Sequence, residues 1–286
     1  MRFSLVLATV GRVSELECFL QSLDAQTFRN FELIVVDQNP DDRLVPILER
    51  YEQRFAIVHL RSAPGLSRAR NVGLQHVTGD VVAFPDDDCW YPPGLLERVV
   101  RFFREHPEID GLTGRSLDEN GRPSVGRWAT ASGLVNKFNV WGKGVSITIF
   151  LKASVIKRTG GFDEDLGAGA GTSWGAGEET DYLLRALEKG FRIYYDANLM
   201  IYHPHPAERY DEPTLQRALK YGQGMGRVLR KHRYPFWFVC YQWLRPLGGA
   251  LLSLSTGKLG KARYHWAVFR GRILGWLSKE LRRTLP

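Results

Sequence analysis

Three adjacent carboxylates, Asp86, Asp87 and Asp88, lie within the stretch VVAFPDDDCWYPPG at residues 81–94. An apolar run that breaks at Pro85 reads as a buried strand and its end. Like charges repel, so a triplet at that place calls for a positive partner. A hard divalent cation, Mg²⁺ or Mn²⁺, suits it. Such ions take carboxylate and phosphate oxygens, often with few protein ligands and the rest from a diphosphate. The bland alternative is a solvated acidic turn. Asp37 ends a second apolar run, FELIVVD at 31–37, in the same manner. Further along, GEETD at 177–181 carries Glu178, Glu179 and Asp181, acids that suit a helix N-terminus or proton abstraction. His203 and His205 flank Pro204, as turn residues or metal ligands. Trp174, in the loop before Glu178, is a flat ring face for a ligand or an apolar lid on the core.

These groups need elements to hold them. FSLVLAT (3–9), FELIVVD (31–37), AIVHL (56–60) and DVVAF (80–84) read as strands by run length and β-branching. Between them, SELE (14–17) is a capping box in which Ser14 caps and Glu17 reaches back. Leu16, Phe19, Leu20 and Leu23 then recur at helical spacing. Residues 42–54 and GLSRARNVGLQH (65–76) also read as helices. In the latter, Arg68 and Asn71 share a face and Arg70 points elsewhere. This alternation implies an α/β fold with a mostly parallel sheet flanked by helices. Ligands of such sheets bind beyond the carboxyl ends of the strands, so Asp37 and Asp86–Asp88 should face one crevice. A helix follows at 95–106, an irregular Gly-rich segment at 111–145, and strand then helix at 145–156. Residues 160–177 form a flexible loop by glycine content, 178–190 a helix and 191–206 a strand pair.

Charge divides the chain of 286 residues. Residues 1–204 carry net −4 and residues 205–286 net +12. We therefore expect two parts, 1–206 with the chemistry and 207–286 as a basic, amphipathic helical region. Residues 235–256 are mostly apolar but interrupted by Arg245, Pro246 and glycines, and fall short of a membrane-spanning helix. Aromatic and basic residues interleaved fit an interfacial segment on anionic lipid, the reading adopted; a packed helical subdomain is its rival. No nucleic-acid motif is present. Cys18, Cys89 and Cys240 lack metal or disulfide spacing, which fits a reducing compartment. The N-terminal apolar run is too short for a secretory signal and reads as the first strand.

The motifs FSLVLATVGR, GLSRARNVGL, GDVVAFPDDD, GGFDEDLG and GEETDYLLRALEKGF, in that order over roughly residues 3–204, resemble the bacterial family 2 glycosyltransferases of GT-A fold. The resemblance implies transfer of a sugar from a nucleotide-diphosphate sugar (UDP, GDP or dTDP), with inversion. It implies nucleotide contacts from Thr9, Arg12, Asp37, Arg68 and Asn71. VVDQNP departs from relatives that carry a second acid and GS after Asp37. Asp86 and Asp88 match the family's DxD pair, with Asp88 on Mg²⁺ or Mn²⁺, Asp86 toward the ribose or metal-bound water, and Asp87 beside them. His203, ahead of His205, is implied to complete the metal's shell. Glu179 stands where many relatives have Asp and is implied to be the general base. Glu178, Asp181 and Trp174 are assigned to the acceptor.

The expected activity is metal-dependent inverting transfer to a lipid-linked or saccharide acceptor in bacterial polysaccharide or glycolipid synthesis. The expected setting is the cytoplasmic face of the inner membrane, with peripheral contact through a C-terminal membrane-associating extension. A non-catalytic nucleotide-sugar-binding scaffold of the same fold is the alternative. A nucleotidyltransferase fits less well, because ATVGRVSE is a poor phosphate loop.

Overall fold

Apolar, β-branched runs pair first. In the computed structural model, which describes residues 1–205 and 209–278, FSLVLAT is β1 (Phe3–Thr9) and FELIVVD is β2 (Phe31–Asp37). They pair in parallel from Phe3 opposite Phe31 to Thr9 opposite Asp37. β3 (Ala56–Arg61) joins β2 and β4 (Val81–Ala83) joins β1, both parallel. Beyond β4 the sheet changes character. β5 (Gly111–Leu117) and β4 both pair antiparallel with β7 (Phe150–Lys152). β8 (Ile193–Tyr202) runs parallel to β5, and the short β6 (Gly133–Leu134) is antiparallel to β8. The order is β3-β2-β1-β4-β7-β5-β8-β6. The expected mostly parallel sheet is thus corrected to a mixed one.

Helices cover the sheet with apolar stripes at helical spacing. α1 (Ser14–Asp24) buries Leu16, Phe19, Leu20 and Leu23, and α4 (Leu95–Glu105) buries Leu95, Leu96, Val99, Val100 and Phe103. Between them in sequence lie α2 (Val45–Glu52) and α3 (Leu66–Leu74). The capping box expected at 14–17 does not form. Val13 occupies the cap position, no side chain caps the helix, and the Ser14 hydroxyl bonds Glu15 instead. Residues 111–117, expected to be irregular, are β5. Residues 191–206, expected to be two strands, contain the single strand β8, whose pairing with β5 shifts register between Thr113 and Arg115. α5 (Ala153–Thr159) and α6 (Glu178–Glu188) complete this part of the chain.

Among the described residues, 1–162 and 182–205 form one compact unit, and 163–181 and 209–278 form the second. The second unit contains α7 (Glu212–Lys231), α8 (Phe236–Ser255) and α9 (Leu259–Leu277). Glycines bring α7 and α9 into backbone contact. A Cβ on Gly222 would meet the Val268 carbonyl oxygen at 2.6 Å, and one on Gly226 the Arg272 carbonyl oxygen at 2.2 Å. From the other side, a Cβ on Gly271 would lie 2.3 Å from the Leu219 oxygen and one on Gly275 1.9 Å from the Gln223 oxygen. The i, i+4 spacing puts each glycine pair on one helix face. Gly224 faces the loop instead, where a Cβ would meet the Ala176 oxygen at 2.0 Å.

This packing corrects the expected membrane-associating extension. α7 and α9 bury their glycine faces against each other, and α9 distributes basic and apolar residues around its circumference. No described helix is long and apolar enough to cross a membrane. α8 leaves Phe236, Trp237, Leu251 and Leu252 more than half exposed.

Candidate active site

The first unit gathers its polar side chains at the carboxyl edge of the parallel strands. Thr9 ends β1 opposite Asp37, and Ala8 forms a parallel bridge with Asp86. The carboxylate triplet therefore continues the β4 line into the crevice beside β1. A second bridge, Trp90 with Tyr202, is antiparallel; their rings stack at 5.5 Å and 11°. That bridge draws the residue after β8, His203, toward the triplet.

Each carboxylate in the triplet has its own partner. The Thr9 hydroxyl donates to Asp87 Oδ2 at 2.6 Å, and Arg12 Nη1 donates to Asp87 Oδ1 at 2.6 Å and also to Asp88. Arg70 Nη2 donates to Asp86 Oδ1 at 3.0 Å. His203 Nε2 lies 3.1 Å from Asp88 Oδ1, while its Nδ1 faces the Pro204 carbonyl at 2.7 Å. Arg70, expected to point away, is buried, and its guanidinium also lies over the Phe162 ring at 5.5 Å. α3 buries Ser67, Ala69, Arg70 and Gly73, and this small-residue face was the sequence signal for it.

These environments separate the three acids. Loss of water pushes the Asp86 carboxyl up to about 6; Arg70 opposes the rise, and the neighbouring Asp88 and Asp87 charges add to it. Its side chain retains 35% exposure, so protein encloses it without sealing it. Burial also raises Asp87, against Thr9 and Arg12. For Asp88 burial pulls upward, but the hydrogen bond and charge of His203, with Arg12, hold it below the ordinary range. His203 is raised in turn: burial lowers it, and Asp88 more than compensates.

Asp88 Oδ1 and His203 Nε2 are an oxygen and a nitrogen donor already facing each other. Among the described residues no group of three or more His, Cys, Asp or Glu is placed to hold a metal. The pair fits a cation that takes two protein donors and completes its shell from ligand oxygens and water. His205 is exposed.

Asp37 is completely buried. Its Oδ1 accepts from the Asn39 backbone N–H at 2.8 Å and from Asn39 Nδ2 at 2.7 Å. Its Oδ2 faces His59 Nε2 at 3.1 Å and Arg61 Nη1 at 3.0 Å. The side chains flanking it, His59 and Arg61, come from β3. Arg68 is partly exposed and donates to the Pro64 carbonyl at 3.3 Å. Asn71 is a clamp on chain geometry: Nδ2 donates to the Phe162 carbonyl at 3.0 Å, and Oδ1 accepts from the Phe162 N–H at 2.6 Å.

The remaining candidates belong to the second unit. Glu178 and Glu179 open α6; Glu178 is buried and Glu179 partly so. Asp181 is fully buried and its Oδ1 lies 2.7 Å from Lys231 Nζ and 2.9 Å from His232 Nε2. Lys231 also reaches Asp163 at 2.7 Å. Nothing in the spacing of Lys231 and His232, fifty residues downstream, announced this network. Trp174 is 5% exposed; Arg227 covers its ring at 4.6 Å and its Nε1 donates to the Ser278 hydroxyl at 3.2 Å.

Known proteins resemble the chain in sequence and in fold. The profile described as Glycosyl transferase family 2 matches residues 4–156, more than half of the chain. An uncharacterized glycosyltransferase of Haemophilus influenzae is 31% identical over 107 residues, which cover 37% of this chain and 36% of that protein. The chain thus spans little more than a third of that relative's length. Glycosyltransferase AglE of Haloferax volcanii is 22% identical over 291 residues, covering 98% of this chain and 85% of that protein. Among solved structures, the mannosyltransferase PcManGT of Pyrobaculum calidifontis, in complex with GDP-Man and Mn²⁺, aligns with a TM-score of 0.67 at 16% identity, covering 98% of this chain and 88% of that one. S. aureus TarS 1-349, in complex with UDP-GlcNAc, aligns at 0.63 and 18% identity, over 95% of this chain and 92% of that one. At these identities the likeness is one of fold, a GT-A-like α/β architecture.

Proposed function

Because the chain belongs to glycosyl transferase family 2, we propose that it moves a sugar from a nucleotide-diphosphate sugar to an acceptor hydroxyl, with inversion at the anomeric carbon. The carrying observation is the cluster at the carboxyl edge of β1 and β4, where Asp88 and His203 face each other. In this reading Asp88 Oδ1 and His203 Nε2 would hold Mg²⁺ or Mn²⁺. When bound, such an ion neutralises the charge that builds on the departing diphosphate. Arg70 keeps Asp86 oriented toward the ribose side, and Thr9 and Arg12 hold Asp87. Asp37, Arg68 and Asn71 would wall the nucleotide pocket; because both Asp37 oxygens have protein partners, its contribution is to fix Asn39, His59 and Arg61 there.

Glu179 is the proposed general base. Its carboxylate takes the proton from the acceptor hydroxyl as that oxygen attacks the anomeric carbon, opposite the breaking bond to the diphosphate. Positive charge develops on the sugar ring in the transition state. Glu178, Trp174 and Asp181 then frame the acceptor side, Asp181 by fixing the first turn of α6 through Lys231 and His232. The proposed acceptor is lipid-linked or saccharide, and the setting peripheral at the cytoplasmic face of the inner membrane. That setting rests on the acceptor class and not on the C-terminal helices.

The test is a screen of UDP-, GDP- and dTDP-sugars read by released nucleotide. The expected result is turnover with one nucleotide class, reduced by about 10²–10⁴-fold in Glu179→Gln. Full activity of that variant would remove the base assignment.

A further inference from the structure

The loop GAGAGTSWGAG at residues 167–177 frames a cleft of about 640 Å³ with α7, entirely inside the second unit. Gly167, Gly169 and Gly171 take φ of +102°, +73° and +76°, while Ala168 and Ala170 do not enter the positive-φ region. A backbone that alternates hand in this way turns successive N–H groups to one concave side, a nest for an anion. The Gly167 N–H is bonded to the Trp174 carbonyl at 2.9 Å and the Ala170 N–H to the Gly167 carbonyl at 3.3 Å. Among the described residues, the N–H groups of Ala168, Gly169 and Gly171 have no such partner. L side chains resist these φ values, so the glycines are required by the geometry.

The opposite wall is cationic. Arg217 and Lys220 line the cleft from α7, with Gln216 and Tyr221 beside them, and among the described residues no acidic side chain lines it. Spacing of three and four residues puts this set on one helix face. Among the described residues neither cation forms an ion pair; Asp211 feels the Arg217 charge from the helix start. The cleft's shape is fixed, because the Gly175 N–H donates to the Lys220 carbonyl at 3.1 Å and Gly224 packs on the Ala176 backbone. A guanidinium fork, an ammonium and a nest of N–H groups converging on one cavity match tetrahedral phosphate oxygens.

We propose that this cleft binds a phosphate or diphosphate group carried by the acceptor. The proposal rests on the transferase reading for the word acceptor; the anion site itself does not. The test is calorimetric titration of the full chain with inorganic pyrophosphate in EDTA. It compares wild type, Arg217→Ala/Lys220→Ala and Asp88→Ala. Both cations are exposed, so the double variant should keep its melting temperature. The expected result is binding weakened by at least about tenfold in the double variant and unchanged in Asp88→Ala. No binding by wild type, equal binding by the double variant, or loss only in Asp88→Ala would each overturn it. Nucleotide binding that fails in wild type while this pattern holds would remove the donor reading and leave the anion site standing. Phosphatidylcholine vesicles with and without phosphatidic acid separate the sources. Flotation that needs Arg217 and Lys220 identifies a lipid-borne phosphate, and pyrophosphate binding without flotation a soluble saccharide phosphate.

Discussion

Lys231→Met is the sharpest perturbation of the second unit. Asp181 is completely buried, and Lys231 Nζ and His232 Nε2 both approach the same oxygen. Removing one partner of a buried ion pair costs roughly 3–5 kcal/mol, because the other charge stays behind without compensation. Two features reduce that here. Lys231 is 26% exposed, so water screens the pair, and His232 remains against the carboxylate. We expect a loss of about 2 kcal/mol, felt locally at the start of α6. At about 1.4 kcal/mol per decade this is roughly a thirtyfold acceleration of exchange. Amide hydrogen exchange at residues 178–184 reads it directly, with urea unfolding measured alongside. Lys231→Arg should retain most of the protection, and Asp163→Asn, at the more exposed end of the network, should cost less. Nucleotide release by Lys231→Met should fall through kcat with KM for donor little changed, since Glu179 sits on the same turn. Exchange within about twofold of wild type would refute the claim that this network holds the turn.

The glycine seam gives a paired prediction. Alanine is favoured over glycine by about 1 kcal/mol inside a helix, so Gly248→Ala, with nothing within 4 Å of its Cβ, should stabilise. Gly275→Ala would place a Cβ 1.9 Å from the Gln223 oxygen, and overpacking against backbone should reverse the sign to a net loss of at least about 1 kcal/mol; equal melting temperatures for the two variants would contradict it. Asp86 gives a pH signature. Its carboxyl is raised from 3.8 to about 6, so the folded protein holds that proton more tightly than the unfolded chain. In EDTA this contributes a loss of stability as pH rises between those values, and Asp86→Asn should remove that part of the slope; an identical slope in the variant would argue against the desolvated site.

How much of this was legible depends on what each residue type signals. β1 and β2 coincide with FSLVLAT and FELIVVD because apolar β-branched runs of seven have few other uses. β5 reads as GLTGRSL, and its glycines suggest a loop. In the fold they permit close approach: a Cβ on Gly111 would meet Leu151 at 2.6 Å and one on Gly114 the Leu199 oxygen at 2.2 Å. A single sequence does not distinguish those two uses of glycine. The carboxylate triplet was legible as a strand-end cluster, but the hydrogen-bond partners of Asp86 and Asp87 were not. Arg70, Thr9 and Arg12 reach them, and the Trp90–Tyr202 bridge carries His203 to Asp88; all these contacts are tertiary. The basic tail illustrates the opposite error. Its aromatic and cationic composition suggested a lipid surface, whereas Gly222, Gly226, Gly271 and Gly275 specify helix-on-helix contact.

The most direct measurement is calorimetric binding of UDP, GDP and dTDP with and without MnCl₂, to wild type, Asp88→Ala and His203→Ala. The account predicts that one nucleotide binds in an Mn²⁺-dependent manner and that both variants weaken it by at least about tenfold. Absence of binding by all three nucleotides, or binding indifferent to Mn²⁺ and to both substitutions, would contradict it.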